Sequence, residues 1–289
     1  MSINWFPGHM KKATDEIQKK LSLVDLCCEI RDARIPLSST NEELRRLTAK
    51  KKRIVILNKK DMADPVETKK WIRVLRQKGQ TAIAVNTLHE RPAKELYSYA
   101  ADLLSEEQNK RREQSRINRE IRMMVYGIPN SGKSTFINAM SGRRSAAVGD
   151  RPGFTKSQQW IKTDADLLLL DTPGILPKKL MERQALYLAF TGAIRDDILP
   201  LQDIGYALLA VLQEQASEAV ASRYSLSQAD CSGETLVVME AIARYTGSLL
   251  RGGETDYTRT AAILLDDFRK LRFGRLTLEK ALLTEKNED

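Results

Sequence analysis

A glycine-rich segment near the middle of the chain has the residue types and spacing that hold phosphate groups. Residues 127–134 (GIPNSGKS) match the pattern G-x-x-x-x-G-K-[ST] and lie between a strand pattern and a helix pattern. Glycines let backbone N–H groups turn inward around phosphate oxygens, and the start of the helix adds partial positive charge. Lys133 would reach the β- and γ-phosphates and the Ser134 hydroxyl would ligate Mg²⁺, which favours a nucleoside triphosphate site over a turn that binds nothing. Further predicted nucleotide contacts are Asn130, Ser131, Gly132 and Thr135.

A polar turn, NKKD at 58–61, indicates the base of this nucleotide. The Asp61 carboxylate can accept hydrogen bonds from N1–H and the 2-amino group of guanine, whereas adenine has no 2-amino group. A hydrogen bond to a charged group contributes about 1.5–3 kcal/mol, so losing two favours GTP strongly. Asn58 would fasten the loop and touch the other edge of the base, while the stem of Lys59 would cover its face. NKKD is a common turn by itself and becomes specific beside a phosphate loop; a weaker signal for backing the guanine is Asn86 and Thr87.

A third motif, DTPG at 171–174, follows the apolar run DLLLLD and predicts a magnesium site. An acidic residue at a strand end contacts Mg²⁺ through water, which assigns Asp171, and the N–H of Gly174 can reach the γ-phosphate. Thr155, in the loop RPGFT, is the candidate for a second hydroxyl ligand of Mg²⁺. The alternative for Thr155 is an ordinary loop threonine, which the other motifs make less favoured. Mg²⁺ is therefore the expected cofactor.

The elements between these motifs alternate between strands and helices, which predicts a mostly parallel sheet covered on both faces. The strand patterns lie at 23–31, 53–57, 81–85, 121–127, 157–162 and 166–171. The helix patterns lie at 10–20, 41–50, 66–78 and 92–104, and a polar connector follows at 105–120. Beyond Gly174 the segments are helix-like with glycine breaks. We therefore predict an α/β domain at 1–177 and a small all-α domain at 178–289.

Composition excludes several classes of protein. The 289 residues suggest one large domain or two ordinary ones, with 42% hydrophobic and 29% charged residues. No apolar run approaches the roughly 18 residues of a membrane span, and the first residues lack the apolar stretch of a secretory signal. Three cysteines without pairing or metal-ligand spacing, Cys27, Cys28 and Cys231, indicate a reducing cytoplasm. The net charge of +9, concentrated before residue 178, favours a polyanionic partner such as a nucleotide or nucleic acid.

The order of the motifs is unusual. In an ordinary Ras-like GTPase the phosphate loop comes first and the base-reading motif last. Here NKKD (58–61) precedes the phosphate loop (127–134), which precedes DTPG (171–174). The chain therefore resembles a circularly permuted Ras-like P-loop GTPase domain, with the 105–120 connector joining the old ends at the surface.

The resemblance extends to one family over essentially the whole chain. Its signature segments are WFPGHM (5–10), DARIP (32–36), NKKD, GIPNSGKS, GDRPGFT (149–155) and DTPGIL (171–176). Together with the helical end of the chain they are similar to the bacterial ribosome biogenesis GTPase A family (RbgA, also called YlqF). The resemblance implies a cytoplasmic GTPase that converts GTP to GDP and phosphate, binds the maturing large (50S) ribosomal subunit and its rRNA, and acts in late assembly. We expect neither a membrane nor DNA as partner.

The residue after DTPG raises the question of what orients the attacking water. Many GTPases carry glutamine there, but this chain has Ile175, which cannot hydrogen-bond to water. His9 is the candidate because neutral imidazole has both a donor and an acceptor near pH 7, and the resemblance implies that the matching histidine is catalytic. The alternative is that His9 caps a helix or contacts RNA. The predicted catalytic set is His9, Lys133, Thr155 and Gly174.

A potassium ion is a second expected cofactor. Asn130 occupies the position that holds K⁺ against the phosphates in potassium-dependent relatives, where the ion adds positive charge in place of an arginine finger. The alternative is an ordinary loop asparagine.

Three basic segments are candidates for contact with RNA, although each by itself is also typical of a solvated surface. They are Arg45, Arg46 and Lys50 to Arg53; Lys110, Arg111, Arg112, Arg116 and Arg119; and the segment 268–275. The last places cations among the aromatic residues Phe268 and Phe273, a mixture that can contact phosphates and stack on bases.

Two alternative functions belong to other classes. The first is a GTP-gated rRNA-binding switch with negligible hydrolysis of its own, which the isoleucine after DTPG makes reasonable. The second is a GTPase that acts on tRNA or at a membrane surface, which the intact WFPGHM segment disfavours. For the ribosomal GTPase as for the switch, turnover by the protein alone is expected to be slow, and we expect the ribosomal subunit to stimulate the GTPase.

Overall fold

The computed structural model describes residues 8–106, 120–142 and 159–282, with side chains from residue 12 onward. The chain divides into two compact units. The first comprises residues 1–180 together with 279–289, and the second comprises residues 181–278.

The described part of the first unit contains a six-stranded sheet in the order β3-β2-β1-β4-β6-β5. Its strands are β1 (Leu26–Asp32), β2 (Lys52–Asn58), β3 (Thr81–Val85), β4 (Ile121–Gly127), β5 (Trp160–Lys162) and β6 (Leu167–Asp171). All neighbouring strands are parallel except β5 and β6, which pair antiparallel. Because the carboxyl ends of parallel strands meet at one edge of a sheet, the loops that follow β1, β2, β3, β4 and β6 share that edge.

The strand order confirms the permuted α/β fold. The phosphate-loop strand β4 lies in the middle of the sheet, between β1 and β6. When the strands are counted from β4 and the count continues from β6 to β1, the chain order becomes that of an unpermuted domain. The permutation has therefore moved the chain ends while the spatial order of the strands stayed the same.

Helices cover both faces of this sheet. They are α1 (Gly8–Lys20), α2 (Glu42–Leu47), α3 (Pro65–Gln77), α4 (Ala93–Leu103) and α5 (Lys133–Ser141), with a 3₁₀ turn at Leu21–Leu23. Successive residues of β2 alternate between two hydrophobic clusters. Ile54 and Ile56 pack in the cluster that contains Phe136 of α5, whereas Val55 and Leu57 pack in the cluster that contains Trp71 of α3.

Most of the predicted elements are confirmed to within a few residues. Of the strand pattern at 157–162, Trp160–Lys162 forms a strand, and residues 157 and 158 lie outside the described residues. The first helix begins at Gly8 rather than at residue 10. Most of the predicted connector, residues 107–119, lies outside the described residues. No helix in the described ranges is both long enough and apolar enough to cross a membrane.

The second unit is helical, with one isolated bridge between Leu249 and Thr255. Its helices are α6 (Glu182–Phe190), α7 (Leu201–Tyr224), α8 (Gln228–Cys231), α9 (Thr235–Thr246) and α10 (Tyr257–Arg269), with a 3₁₀ turn at Asp196–Ile198. Helices α7 and α10 cross closely, because a Cβ at Gly205 would lie only 2.3 Å from the Cβ of Ala261. Glycine at this position therefore lets the two backbones pack in contact.

The division of the chain differs from the sequence-based domains at the C-terminal end. The predicted second domain runs from 178 to 289, whereas the described residues 279–282 group with the first unit. The Glu279 carboxylate accepts hydrogen bonds from Leu37 N at 2.5 Å and from Ser38 N and Oγ at 3.0 and 2.5 Å. The Trp71 indole donates to the Glu279 carbonyl at 2.7 Å. These polar contacts hold the segment around Glu279 on the first unit. The periodicity of the sequence does not predict them.

Candidate nucleotide-binding site

The phosphate-loop motif forms the turn between β4 and α5. The Ser131 hydroxyl donates to the Ile128 carbonyl at 2.9 Å, and Asn130 and Gly132 both have left-handed backbones, with φ of 55° and 88°. A Cβ at Gly132 would lie 2.2 Å from Nδ2 of Asn58, so glycine meets both a conformational and a steric requirement here. The loop therefore has the left-handed turns that the sequence predicts for a backbone that receives phosphate oxygens.

Lys133 and Asp171 are buried groups of opposite charge beside this loop. Lys133 is 6% exposed, and its ammonium donates to the Ile128 carbonyl at 3.0 Å. Burial lowers the pKa of Lys133 to about 8, although attraction to Asp171 partly opposes the shift. Burial likewise raises the pKa of Asp171 to about 6 against the attraction of Lys133. Burial therefore costs both side chains solvation free energy. A charged ligand would offset that cost because it would interact with the charged form of each group.

The Asp171 carboxylate fits the expected magnesium site. It is 1% exposed, and neither of its oxygens meets a hydrogen-bond donor in the part of the chain that the structure describes. Buried polar atoms without partners are rare in proteins, and carboxylate and hydroxyl oxygens are the ligands that Mg²⁺ prefers. The half-buried Ser134 is the second residue of α5, immediately after Lys133. Thr155, the other predicted ligand, lies outside the described residues.

The DTPG segment packs against the phosphate loop. A Cβ at Gly174 would lie 2.8 Å from Cα of Pro129 and 3.0 Å from Nζ of Lys133, which places Gly174 at the loop. Thr172, which sequence reasoning did not single out, donates from its hydroxyl to the Val125 carbonyl at 2.8 Å and is fully buried. It ties the end of β6 to β4 and so holds the neighbouring Asp171 in place.

Ile175 does not take the position of a water-orienting side chain. It is 1% exposed, its N–H donates to the Gly127 carbonyl at 3.3 Å, and its carbonyl accepts from Nδ2 of Asn41 at 2.9 Å. His9 lies in the first turn of α1, but its side chain is outside the part of the chain that is described.

The structure brings the base-reading motif to the phosphate loop. Asn58 donates from Nδ2 to the Ser131 carbonyl at 2.9 Å and accepts from the Thr87 hydroxyl at 3.1 Å. One amide side chain therefore joins the turns after β2, β3 and β4. Asn86 organises its own turn, accepting from Leu88 N at 3.1 Å, and Asp61 is half-buried in the turn after β2.

Lys59 connects the turn after β2 to the phosphate loop through its ammonium group. Its Nζ donates to the Asn130 carbonyl at 2.6 Å and to Asp32 Oδ2 at 3.1 Å. Asp32 ends β1 and belongs to the DARIP segment, which sequence reasoning used only as a family signature. Its position at the carboxyl end of a parallel strand beside β2 was the signal that could have placed it at the site.

Several residues of the first basic segment form hydrogen bonds within the fold. Lys51 and Lys52 donate to the carbonyls of Val24 and Leu103 at 2.7 and 2.5 Å, and Arg53 donates to the Thr48 hydroxyl at 3.0 Å. Arg46 and Lys50 remain exposed in this segment. The second basic segment, at 110–119, lies outside the described residues.

The aromatic residues of the candidate segment 268–275 are buried in the described structure and are not available to stack on bases. Phe268 and Phe273 are 3% and 4% exposed, and the Phe273 ring packs 6.0 Å from that of Tyr224. Arg269 donates to the carbonyls of Ala189 and Phe190 at 2.8 and 3.0 Å. The segment whose residue spacing suggested a binding surface is instead the end of a helix that packs into the core of the second unit.

The fold and the site define a class: a circularly permuted P-loop protein that binds guanine nucleotide. Comparison with known proteins agrees. A family model described as "50S ribosome-binding GTPase" matches residues 122–232, which begin at the phosphate-loop strand. The chain is 41% identical to ribosome biogenesis GTPase A of Bacillus pumilus over 97% of this chain and 99% of that protein. It is 31% identical to the same protein of Thermotoga maritima, over 96% of this chain and 94% of that one.

Solved structures show the same likeness. A GNP-bound YlqF from Thermotoga maritima superimposes with a TM-score of 0.64 at 28% identity, covering 93% of this chain and 98% of that one. A GDP-bound YlqF structure gives the same TM-score at 27% identity, covering 92% and 98%. The chain belongs to the ribosome biogenesis GTPase A family and is a GTPase.

Proposed function

We propose that this GTPase binds the precursor of the large (50S) ribosomal subunit in the cytoplasm and that its GTP cycle controls binding and release late in assembly. The observation that carries the proposal is the buried Asp171 carboxylate, which has no hydrogen-bond partner among the described residues and begins the DTPG segment at the phosphate loop. The chain continues from this segment into the second unit. The printed names of the relatives support the ribosomal partner. A net charge of +9 suits a partner made largely of RNA.

The proposed mechanism assigns each step to a residue of this chain. Lys133 would bind the β- and γ-phosphate oxygens, and the N–H of Gly174 would bind the γ-phosphate. Ser134, Thr155 and, through water, Asp171 would hold Mg²⁺, which supplies positive charge to the phosphates when bound. His9 would orient the attacking water, because the side chain after DTPG is the buried, apolar Ile175. Loss of the γ-phosphate would release Gly174 and so change the conformation of the segment that follows.

Asn130 is proposed as the ligand of a potassium ion beside the phosphates. Its left-handed backbone and the bond from Lys59 to its carbonyl set its position at the loop surface. A monovalent cation there would add positive charge opposite the transferred phosphate.

A second function is favoured by the buried Ile175: a GTP-gated rRNA-binding switch with negligible hydrolysis. One experiment separates the two functions. GTP hydrolysis would be measured with and without purified 50S subunits, in K⁺ and in Na⁺, while the sedimentation of the protein with subunits is followed using a non-hydrolysable GTP analogue. Stimulation by subunits in K⁺ supports the enzyme, and GTP-dependent cosedimentation without stimulation supports the switch. If the subunits have no effect on either readout, the ribosomal partner is wrong.

His9→Ala tests the assignment of the water-orienting residue in the same assay. We expect a lower kcat with nearly unchanged GTP affinity, because the side chain would act only on the water. Loss of GTP binding would contradict this role.

A further inference from the structure

A buried ion cluster adjoins the base-reading turn without belonging to the nucleotide motifs. Asp32 and Arg34 of the DARIP segment are each 2% exposed. Asp32 Oδ1 accepts from N and Nε of Arg34, both at 3.0 Å, and Oδ2 accepts from Nη2 of Arg34 at 2.8 Å and from Nζ of Lys59 at 3.1 Å. One carboxylate therefore receives four hydrogen bonds, and three of them come from a single arginine.

The arginine orients the carboxylate and keeps it ionised. Burial by itself would raise the pKa of Asp32, but Arg34 and Lys59 outweigh burial and hold the pKa well below its usual range. Because Arg34 occupies three of the four bonds, the Asp32 carboxylate cannot turn, and Oδ2 stays directed at Lys59.

The hydrogen bond from Lys59 to Asp32 supports an unfavourable backbone conformation at Lys59. Its φ of 60° is left-handed, which is unfavourable for a residue with a side chain. Its ammonium is fixed on two sides, by Asp32 and by the Asn130 carbonyl of the phosphate loop. A side chain whose two ends are both held has a defined path for its stem, and Asp61 follows two residues later in the same turn.

We propose that Asp32, oriented by Arg34, is a positioning residue for guanine recognition. It holds Lys59 so that the lysine stem covers the base and the turn presents Asp61 to the guanine edge. The inference rests on the guanine-binding role of the NKKD turn and gives Asp32 and Arg34 of DARIP a task at that site. The effect reaches the nucleotide only through Lys59.

A double-mutant cycle on nucleotide affinity tests the proposal. Dissociation constants for GDP would be measured for the full chain, Asp32→Asn, Lys59→Met and the double variant, together with kcat at saturating GTP. We expect Asp32→Asn to weaken GDP binding about tenfold, the loss typical of one charged hydrogen bond, with kcat unchanged. In the Lys59→Met background the same substitution should cause no further loss, because the contact through which it acts is already absent.

Glu29→Gln is the matched control. Glu29 is a buried acid of the same strand, 1% exposed and paired with Arg31 at 3.0 Å, with no contact to Lys59 among the described residues. We expect this variant to lower the unfolding temperature and to leave GDP affinity unchanged. If Glu29→Gln weakens GDP binding as much as Asp32→Asn does, or if Asp32→Asn loses tenfold in both backgrounds, the role of Asp32 is only structural and the proposal is overturned.

Two further outcomes are informative. If Asp32→Asn folds poorly, Lys59→Met removes the same contact and leaves the Asp32–Arg34 pair in place, and unchanged GDP affinity in that variant overturns the proposal. If Asp61→Ala leaves the preference for GDP over ADP intact, the guanine-binding role of the turn fails, a result distinct from any outcome of the cycle.

Discussion

Two buried aspartates, one in each unit, are surrounded in opposite ways. Asp267 of the second unit is 5% exposed and accepts from Nε and Nη2 of Arg223 at 2.8 and 3.1 Å and from the Tyr224 hydroxyl at 2.9 Å. Asp171 at the nucleotide site is 1% exposed and has no hydrogen-bond partner within the described ranges.

The difference agrees with the proposal that Asp171 awaits a ligand, whereas Asp267 serves the folding of the second unit. A carboxylate with all of its partners in the chain joins helices, whereas one without partners costs stability until something binds it. Two buried or partly buried basic residues, Arg269 and Lys133, differ in the same way. Arg269 is bonded to Asp196 and to backbone carbonyls, while Lys133 is held at a carbonyl with its pKa lowered to about 8.

The largest effect is expected for Lys133→Met. This variant removes the buried cation that would bind the phosphates, so GTP affinity should fall about a hundredfold. The unfolding temperature without nucleotide should not fall, because an incompletely compensated buried charge has been removed. Fluorescence titration with a labelled GTP analogue and a thermal melt give the two readouts. Unchanged affinity would place the phosphates elsewhere.

Asp267→Asn should have the opposite profile. It breaks charged hydrogen bonds that serve only the second unit, which should lower the free energy of unfolding by about 2 kcal/mol. GTP affinity should stay that of the parent chain. Chemical denaturation and the same titration measure both quantities, and a loss of GTP affinity in this variant would erase the contrast between the two aspartates.

The pH dependence of nucleotide binding sharpens the comparison further. Below pH 8 Lys133 is already charged in the free protein, whereas above pH 8 it is increasingly neutral. Because a triphosphate favours the ammonium form, binding should take up a proton above pH 8, and affinity should fall by up to about tenfold per pH unit there. Calorimetry at pH 7 and pH 9 in two buffers of different ionisation enthalpy measures the uptake. Lys133→Met is the control, and equal uptake in that variant would assign the proton to another group.

Glu279→Gln should produce the smallest effect. The substitution weakens the bonds from Leu37 and Ser38 to the carboxylate, so the free energy of unfolding of the first unit should fall by about 1 kcal/mol. Protease should also cut the end of the chain faster than in the parent protein. An unchanged cleavage rate would mean that the Trp71 contact holds the segment without the carboxylate.

Short contiguous motifs were the most predictable part of the site. The phosphate loop, the NKKD turn and DTPG each carry their chemistry within a few residues, so residue type and spacing suffice to recognise them. The alternation of strand and helix patterns and the order of the motifs predicted the permuted sheet, which the strand order confirms. The roles of the predicted site residues, Thr155 and His9 among them, stay predictions.

Features that depend on distant partners were not predictable. A lysine in a basic segment is predicted to be an exposed charge. Lys52 instead donates a hydrogen bond to the carbonyl of Leu103, 51 residues away. Phe268 and Phe273 alternate with cations as in an RNA-binding segment, yet both are buried. The joining of residues 279–282 to the first unit depends on Trp71 and Ser38, more than 200 residues earlier.

The sequence by itself determined the nucleotide, the permuted order of the fold and the family, because local spacing carries that information. Only the tertiary structure decided how the charges are used: that Asp267 is satisfied and Asp171 is not, and that Asp32 and Arg34 hold Lys59. The physical reason is that the residue type determines which charge a side chain can carry, whereas its burial and its partners depend on which distant segments fold against it.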